Sequence, residues 1–365
     1  MVIGIDGHML GDHSGGNESY YTNILRAMNV DPADKVYLFC KTNIDVSEFE
    51  KKFTVVRFKS QSSLKRNFVE LNQLCNHYGI EVLHTQYFIP FIRSCKVVCT
   101  IHDICFEHYK NIFTKKEYYQ QKLLIPYAAK HSVYIFTVSN HAKNDIVEHY
   151  HVNPENVVVT YNAVNEQFKV LHVGELQEEE LREKFHIGGE PFVLTVGNLQ
   201  PRKNLPRLIE AFNDWKIENQ KPVKLVIVGK KAWMYSDILK AVGVDNDSIV
   251  LTDYVSDEDL VRLYNAAACF IYPSFFEGFG IPPLEAMSCG TPVAVADATS
   301  LPEVVGDAGL YFDPFDTNEI KRCLHRLMND KDLRGNLRIK GLSRRNLFSW
   351  EDSAKKIYST YHMCK

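Results

Sequence analysis

At 365 residues the chain exceeds what one hydrophobic core usually organises, so its length predicts two domains. A composition of 45% hydrophobic and 24% charged residues excludes a disordered or fibrous chain. A formal net charge of -3 lacks the basic footprint of nucleic-acid binding, so no nucleic-acid partner is expected.

The opening stretch MVIGIDGHML has neither the basic region nor the long apolar core of a secretory signal, and no later apolar run approaches the ~20 residues of a spanning helix. A cytoplasmic protein is expected, with peripheral contact at the inner face of the cytoplasmic membrane left open. Short β-branched runs then recur: VIGI (2–5), VYLFC (36–40), TVVRF (54–58), VLHT (82–85), KVVCTI (96–101), VYIFTVS (133–139) and VVVT (157–160). Between several of them lie stretches of helical length, such as GNESYYTNILRAMN and SSLKRNFVELNQLCNHYG. Continuous rather than alternating apolar runs mark strands covered on both faces, hence a parallel sheet between helix layers.

From 169 to 190 the pattern lapses into the acid-rich KVLHVGELQEEELREKFHIGGE, which reads as an interdomain connection. The alternation restarts with FVLTVG (192–197), KLVIVG (224–229), SIVL (248–251), ACFIY (268–272) and PVAVA (292–296), and ends in helical stretches. The reading is an α/β chain of two doubly wound Rossmann-like domains, 1–168 and 191–345, with a linker at 169–190 and a terminal helix in 346–365. Nine cysteines without a CxxC pair fit a reduced chain, and no metal is expected at Cys95, Cys99 and Cys105. The acidic run Asp245-Asn246-Asp247 reads as a polar turn.

Ligands of open α/β sheets bind beyond the carboxyl ends of the strands, which directs attention to the residues that follow each run. Gly15 and Gly16 precede a helix, where backbone amides suit an anion, although a plain loop explains a bare glycine pair equally well. His102 and Asp103 follow KVVCTI, a polar pair at a strand end, where a lone histidine is more often structural than functional. Ser139 reads as a helix cap. Arg202 and Lys203 follow FVLTVG at a helix N-terminus, where two cations oppose the helix dipole unless an anion joins them, which favours a phosphate site over the alternative, a solvated basic loop. After ACFIY comes EGFGIPPLE, with Glu277 in a glycine loop and Glu285 in the first turn of a helix started by Pro282 and Pro283.

GNLQPRKNLPRLIEAF and EGFGIPPLEAMSCGTPVAVADATSLPEVVGDAGLYFDPFD resemble the retaining nucleotide-sugar glycosyltransferases of family 4, and the likeness extends over nearly the whole chain through TIHD (100–103) and TVSNHAKNDI (137–146). The resemblance implies a GT-B fold, two facing Rossmann-like domains with a deep cleft, and a terminal helix crossing back to the first domain. It implies donor-sugar contacts at Glu277, a ribose contact at Glu285, and amides of Gly278, Phe279, Gly280 and Ile281 along sugar and phosphates. It also assigns the diphosphate to Arg202, Lys203, Gly15 and Gly16, and the anomeric centre to His102. Two departures stand out: Asn198 replaces an arginine common in relatives, and YNAVN (161–165) has Ala163 and Asn165 where relatives often carry glycine and aspartate.

The expected reaction is a retaining, metal-independent hexosyl transfer without a cofactor, from a nucleotide diphosphate sugar to a saccharide or lipid-linked acceptor. The overall style is similar to bacterial mannosyltransferases of surface polysaccharide assembly, which favours GDP-mannose, with UDP-sugars or a catalytically silent GT-B binding subunit as alternatives. The base is expected near 229–255. The six cations of KKFTVVRFKSQSSLKR (51–66) and the aromatic FTKKEYYQQKLLIPY offer a surface to an anionic membrane, or else a solvated basic face.

Overall fold

The apolar runs form the strands of two separate parallel sheets in the computed structural model, which describes residues 1–11, 15–230, 236–243 and 246–364. The first sheet contains β1 (Val2–Asp6), β2 (Lys35–Cys40), β3 (Thr54–Arg57), β4 (Val82–Gln86), β5 (Lys96–Thr100), β6 (Tyr134–Thr137) and β7 (Val157–Val159), in the order β3-β2-β1-β4-β5-β6-β7. The second contains β8 (Phe192–Val196), β9 (Lys224–Val228), β10 (Ile249–Leu251), β11 (Cys269–Tyr272), β12 (Val293–Ala296) and β13 (Gly309–Phe312), in the order β10-β9-β8-β11-β12-β13. Every strand pairing is parallel, and β4, β11 and β12 are buried along their whole length, as continuous apolar runs require. Strand order reverses between β1 and β4 in one sheet and between β8 and β11 in the other. Such switch points are where open α/β sheets bind ligands.

The chain divides into one unit of Met1–Asn162 with Ser349–Lys365 and another of Ala163–Phe348. The terminal helix Trp350–Met363 packs within the first unit: Tyr361 Oη meets His84 Nδ1 at 2.6 Å, Ser353 Oγ donates to the Tyr161 carbonyl at 2.7 Å, and Tyr358 hydrogen-bonds Asp34.

Two readings of the sequence need correction. Residues 169–190 are no free linker, and the first domain does not extend to 168, because this stretch is anchored in the second unit. Phe168, Leu181 and Ile187 are buried, Leu171 N–H donates to Asn265 Oδ1 at 2.9 Å, and Lys184 pairs with Asp259 at 2.7 Å. An average over an acid-rich window conceals two well-placed apolar side chains, Leu181 and Ile187. The edge strand β13 was not anticipated; its residues are mostly half-buried, so no continuous apolar run announces it. In the basic segment 51–66, Lys51, Lys52, Lys59 and Lys65 are exposed, whereas the two arginines are engaged within the unit. Arg57 donates to the carbonyls of Lys41 and Ile44, Lys52 to that of Arg26, and Arg66 is buried over the Phe58 ring.

Candidate active site

At the second unit's switch point two loops are fastened together, and the fastening begins with glycine. Gly197, directly after β8, has φ 156°, and a Cβ there would lie 3.0 Å from Lys203 Cε, so only glycine leaves the lysine stem its path. A short turn over Pro201–Lys203 leads through Asn204, at φ 55°, into the helix Leu205–Asn219. The buried Asn204 amide donates to the carbonyls of Pro273 at 3.2 Å and Pro314 at 2.7 Å, and Phe275 N–H donates to the Arg202 carbonyl at 3.1 Å. The loop after β8 is thereby held against the loop after β11.

Between these loops Glu277 is buried and receives both cations that the sequence assigns to phosphate. Arg202 Nη1 lies 2.7 Å from Oε2, Lys203 Nζ 2.6 Å from Oε1, and Tyr272 Oη donates to Oε1 at 3.0 Å. Burial pushes the Glu277 pKa up, but the attraction of Arg202 and Lys203 and their hydrogen bonds outweigh it and bring it to about 2. Its backbone is fixed as firmly: Glu277 N–H donates to Thr299 Oγ1 at 3.0 Å, and Ser300 Oγ reaches the carbonyls of Glu277 and Phe279 at 2.9 and 2.8 Å. Thr299 holds φ 52°, an uncommon conformation for a β-branched residue. Two cations and one anion thus carry a net positive charge in a partly dry site.

Gly280, at φ 105°, turns the chain into the helix Ile281–Ser288, and a Cβ there would lie 2.6 Å from Leu301 Cδ2. Pro282 and Pro283 fall in the first turn, where there is no intrahelical N–H bond to lose. Gly278, Phe279, Gly280 and Ile281 therefore approach the positive end of a helix dipole. Glu285 is the fifth residue of this helix, one residue past its first turn, and is half-buried, with Tyr264 Oη donating to Oε2 at 2.9 Å. Burial raises its pKa to about 7, against the lowering effect of the Tyr264 hydrogen bond. The two glutamates therefore differ in kind: Glu277 is a permanent anion, whereas Glu285 titrates near neutrality.

In the first unit, Gly15 caps the helix Gly16–Ala27 at φ 76°, while Gly16 has open space around its Cβ position. Residues 12–14 of the same glycine loop lie outside the described residues. His102, just beyond β5, is buried against the edge of Tyr20, centroids 4.8 Å apart, and beside Tyr87 at 5.6 Å. Its Nε2 has no hydrogen-bond partner among the described residues, and burial lowers its pKa to about 3, which leaves a neutral imidazole. His8 Nδ1 and Asp6 Oδ2 pair at 2.8 Å at the end of β1, a buried contact the sequence did not single out.

The structure thus brings Arg202, Lys203 and Glu277 together in the second unit, with Glu285 on the adjoining helix, and holds His102, Gly15 and Gly16 in the first. Tyr272, Asn204, Thr299, Ser300 and Tyr264 were missed. Tyr272 ends a strand and Asn204 precedes a helix, but nothing in a linear pattern says that their polar atoms converge on Glu277 and its loops. Ser139 does cap the helix Asn140–Tyr150, donated to by Ala142 N–H at 3.0 Å. Asn198 is exposed. Of the expected base region, residues 231–235 lie outside the described residues, as does Asp245.

Comparison with known proteins matches this arrangement to two family models, Glycosyltransferase Family 4 over residues 14–168 and Glycosyl transferases group 1 over residues 177–344. O-antigen chain mannosyltransferase B of Escherichia coli is 33% identical over 286 residues, covering 76% of this chain and 72% of that protein. The chain belongs to glycosyltransferase family 4. The Escherichia coli serotype-specific mannosyltransferase WbdA is 31% identical over 267 residues, 71% of this chain, which spans about a third of WbdA's length, 32%. Among solved structures, Anabaena Alr3699/HepE in complex with UDP-glucose superposes with a TM-score of 0.77 at 16% identity, covering 100% of both chains. The two parallel-sheet domains are those of the GT-B fold, and the chain is a glycosyltransferase. No helix among the described residues is long and apolar enough to cross a membrane.

Proposed function

We propose that this glycosyltransferase moves a hexosyl group, with mannose from GDP-mannose as the first choice, to a hydroxyl of a saccharide or lipid-linked acceptor in surface polysaccharide assembly. The observation that carries the reading is the Arg202–Glu277–Lys203 cluster at the second unit's switch point. Breaking the anomeric C–O bond leaves negative charge on a diphosphate, and preorganised cations beside a helix N-terminus stabilise that charge without reorganisation. This chemistry asks for no metal, and a metal-independent transfer is part of the proposal. Glu277 holds Arg202 and Lys203 in register and offers its remaining oxygen lone pairs to donor-sugar hydroxyls. Glu285 accepts from the ribose, and the neutral His102 meets a sugar hydroxyl with Nε2. Gly15 lets its loop follow the phosphates.

The likeness to two enzymes named as mannosyltransferases supports mannose. A UDP-sugar is the second reading, favoured by the UDP-glucose in the Anabaena structure. Retention follows if the leaving phosphate helps deprotonate an acceptor that attacks from the same face. The test is nucleoside diphosphate release from GDP-mannose and from UDP-sugars in the presence of saccharide acceptors, with the product anomer read by NMR. Release from GDP-mannose with an α-linked product is expected; release only from UDP-sugars would replace the donor. Tight binding of donors with no release under any acceptor would make the chain a silent binding subunit.

A further inference from the structure

The first unit's sheet reverses its order between β1 and β4, and β4 ends at that point in Gln86. Gln86 is 1% exposed, yet neither its amide nitrogen nor its amide oxygen has a hydrogen-bond partner among the described residues. A carboxamide offers two donors and an acceptor, and burying them unpaired is costly. The great majority of buried polar groups are paired, so a side chain left in this state at a ligand-binding edge asks for a ligand.

The backbone is strained at the same place. Tyr87 holds φ 59°, and Phe88 N–H donates to the Gln86 carbonyl at 2.6 Å, which closes a three-residue turn of the rare left-handed kind. The Thr100 carbonyl accepts from Tyr87 N–H at 2.9 Å and so holds that turn in place. Strain of this sort collects at ligand sites, where the surrounding structure enforces it.

Strand register supplies the amide's neighbour. Gln86 pairs with Thr100 across β4 and β5, so both side chains stand on one face of the sheet, and alternation returns His102 to that face two residues on. His102 packs beside Tyr87 at 5.6 Å, and its Nε2 likewise lacks a partner among the described residues. A carboxamide and a neutral imidazole suit the hydroxyls of a sugar better than a phosphate. We infer that Gln86 reads hydroxyls of the transferred hexose beside His102 and so helps to set which sugar is moved; this rests on the transfer proposed above. A site built to hydrogen-bond a hydroxyl rejects sugars that misplace it.

The test compares the parent with Gln86→Leu and Gln86→Met, using GDP-mannose or whichever UDP-sugar the parent prefers. Both variants should lose roughly 30-fold in kcat/KM and in calorimetric affinity for the intact nucleotide sugar. Affinity for the nucleoside diphosphate alone should stay unchanged, and the thermal midpoint should hold or rise. At least one monodeoxy form of the donor sugar should be penalised by the parent and not by the variants. Unchanged affinity and kcat/KM in both variants would overturn the inference, as when a water alone satisfies the amide. So would equal weakening of nucleoside diphosphate and nucleotide sugar, the absence of any deoxy donor so relieved, or a midpoint lowered in both variants, which would make Gln86 structural. A parent that binds a nucleotide sugar but never turns it over would sink the transfer, and calorimetry would still decide the Gln86 contact. A parent that binds no nucleotide sugar would overturn both.

Discussion

Glu277 shows how one side chain can be bound into both stability and chemistry. Glu277→Ala should abolish transfer, and the buried ion pairs add a stability cost. Removing this carboxylate leaves Lys203 buried without its anion, a loss on the order of 3–5 kcal/mol. We expect Glu277→Ala to lower the thermal midpoint markedly, with Glu277→Gln falling between it and the parent; equal midpoints for all three would contradict the buried triad. Lys203→Ala should cost roughly 100-fold in kcat/KM, ~3 kcal/mol of stabilisation of the leaving diphosphate, in steady-state assays. His102 behaves differently, because its buried Nε2 has no partner among the described residues. His102→Phe keeps an aromatic ring between Tyr20 and Tyr87 and removes a buried polar atom, so the thermal midpoint should hold or rise while transfer falls by about 100-fold. Loss of both together would make His102 structural.

At the scale of elements, the helix Ile281–Ser288 couples backbone geometry to titration. Glu285 sits on it with a pKa near 7, raised by burial above its ordinary value. The unfolded chain therefore releases this proton first, and the group's contribution to stability falls as pH rises from about 4.5 to 7. Glu285→Gln should remove that fall, visible as a thermal midpoint above the parent's at pH 8. If the carboxylate accepts from a ribose, affinity for a nucleotide sugar, whose diphosphate has no proton to exchange in this range, should increase between pH 6 and 8 in the parent. Calorimetric titration should find the increase gone in Glu285→Gln. The element itself was legible: EGFGIPPLE announces a glycine turn and a proline-started helix. What the sequence could not convey is partnership across the sheet, since Tyr264, Tyr272 and Thr299 reach the glutamates from other segments, and Arg202 and Lys203 looked like free cations. The strands of continuous apolar residues were legible because both faces are buried. The half-buried β13, and the anchoring of 169–190 by Phe168, Leu181 and Ile187, were not.

For the whole molecule, the chain's last helix is what joins sequence ends into one unit. Trp350–Met363 follows every strand of the second sheet, yet it packs with residues 1–162, where Tyr361 satisfies His84 Nδ1 and Trp350 lies 6.1 Å from Tyr20, the ring that also borders His102. His84, whose Nε2 already meets Thr100 Oγ1 at 2.8 Å, is kept neutral by burial, with its pKa down to about 3. It can therefore keep both partners across the physiological range, as its environment demands. Tyr361→Phe removes the partner of one buried nitrogen and should cost about 1–3 kcal/mol. Truncation after Phe348 uncovers the apolar surface beneath Ala354, Ile357 and Tyr361 as well, so it should be far more severe. The loss should fall on the first unit alone, because the second unit ends at Phe348. Hydrogen exchange on the truncated chain should therefore find β1, β4 and β5 deprotected while β8, β11 and β12 keep their protection. Uniform loss across both sheets would show that the two units fold as one.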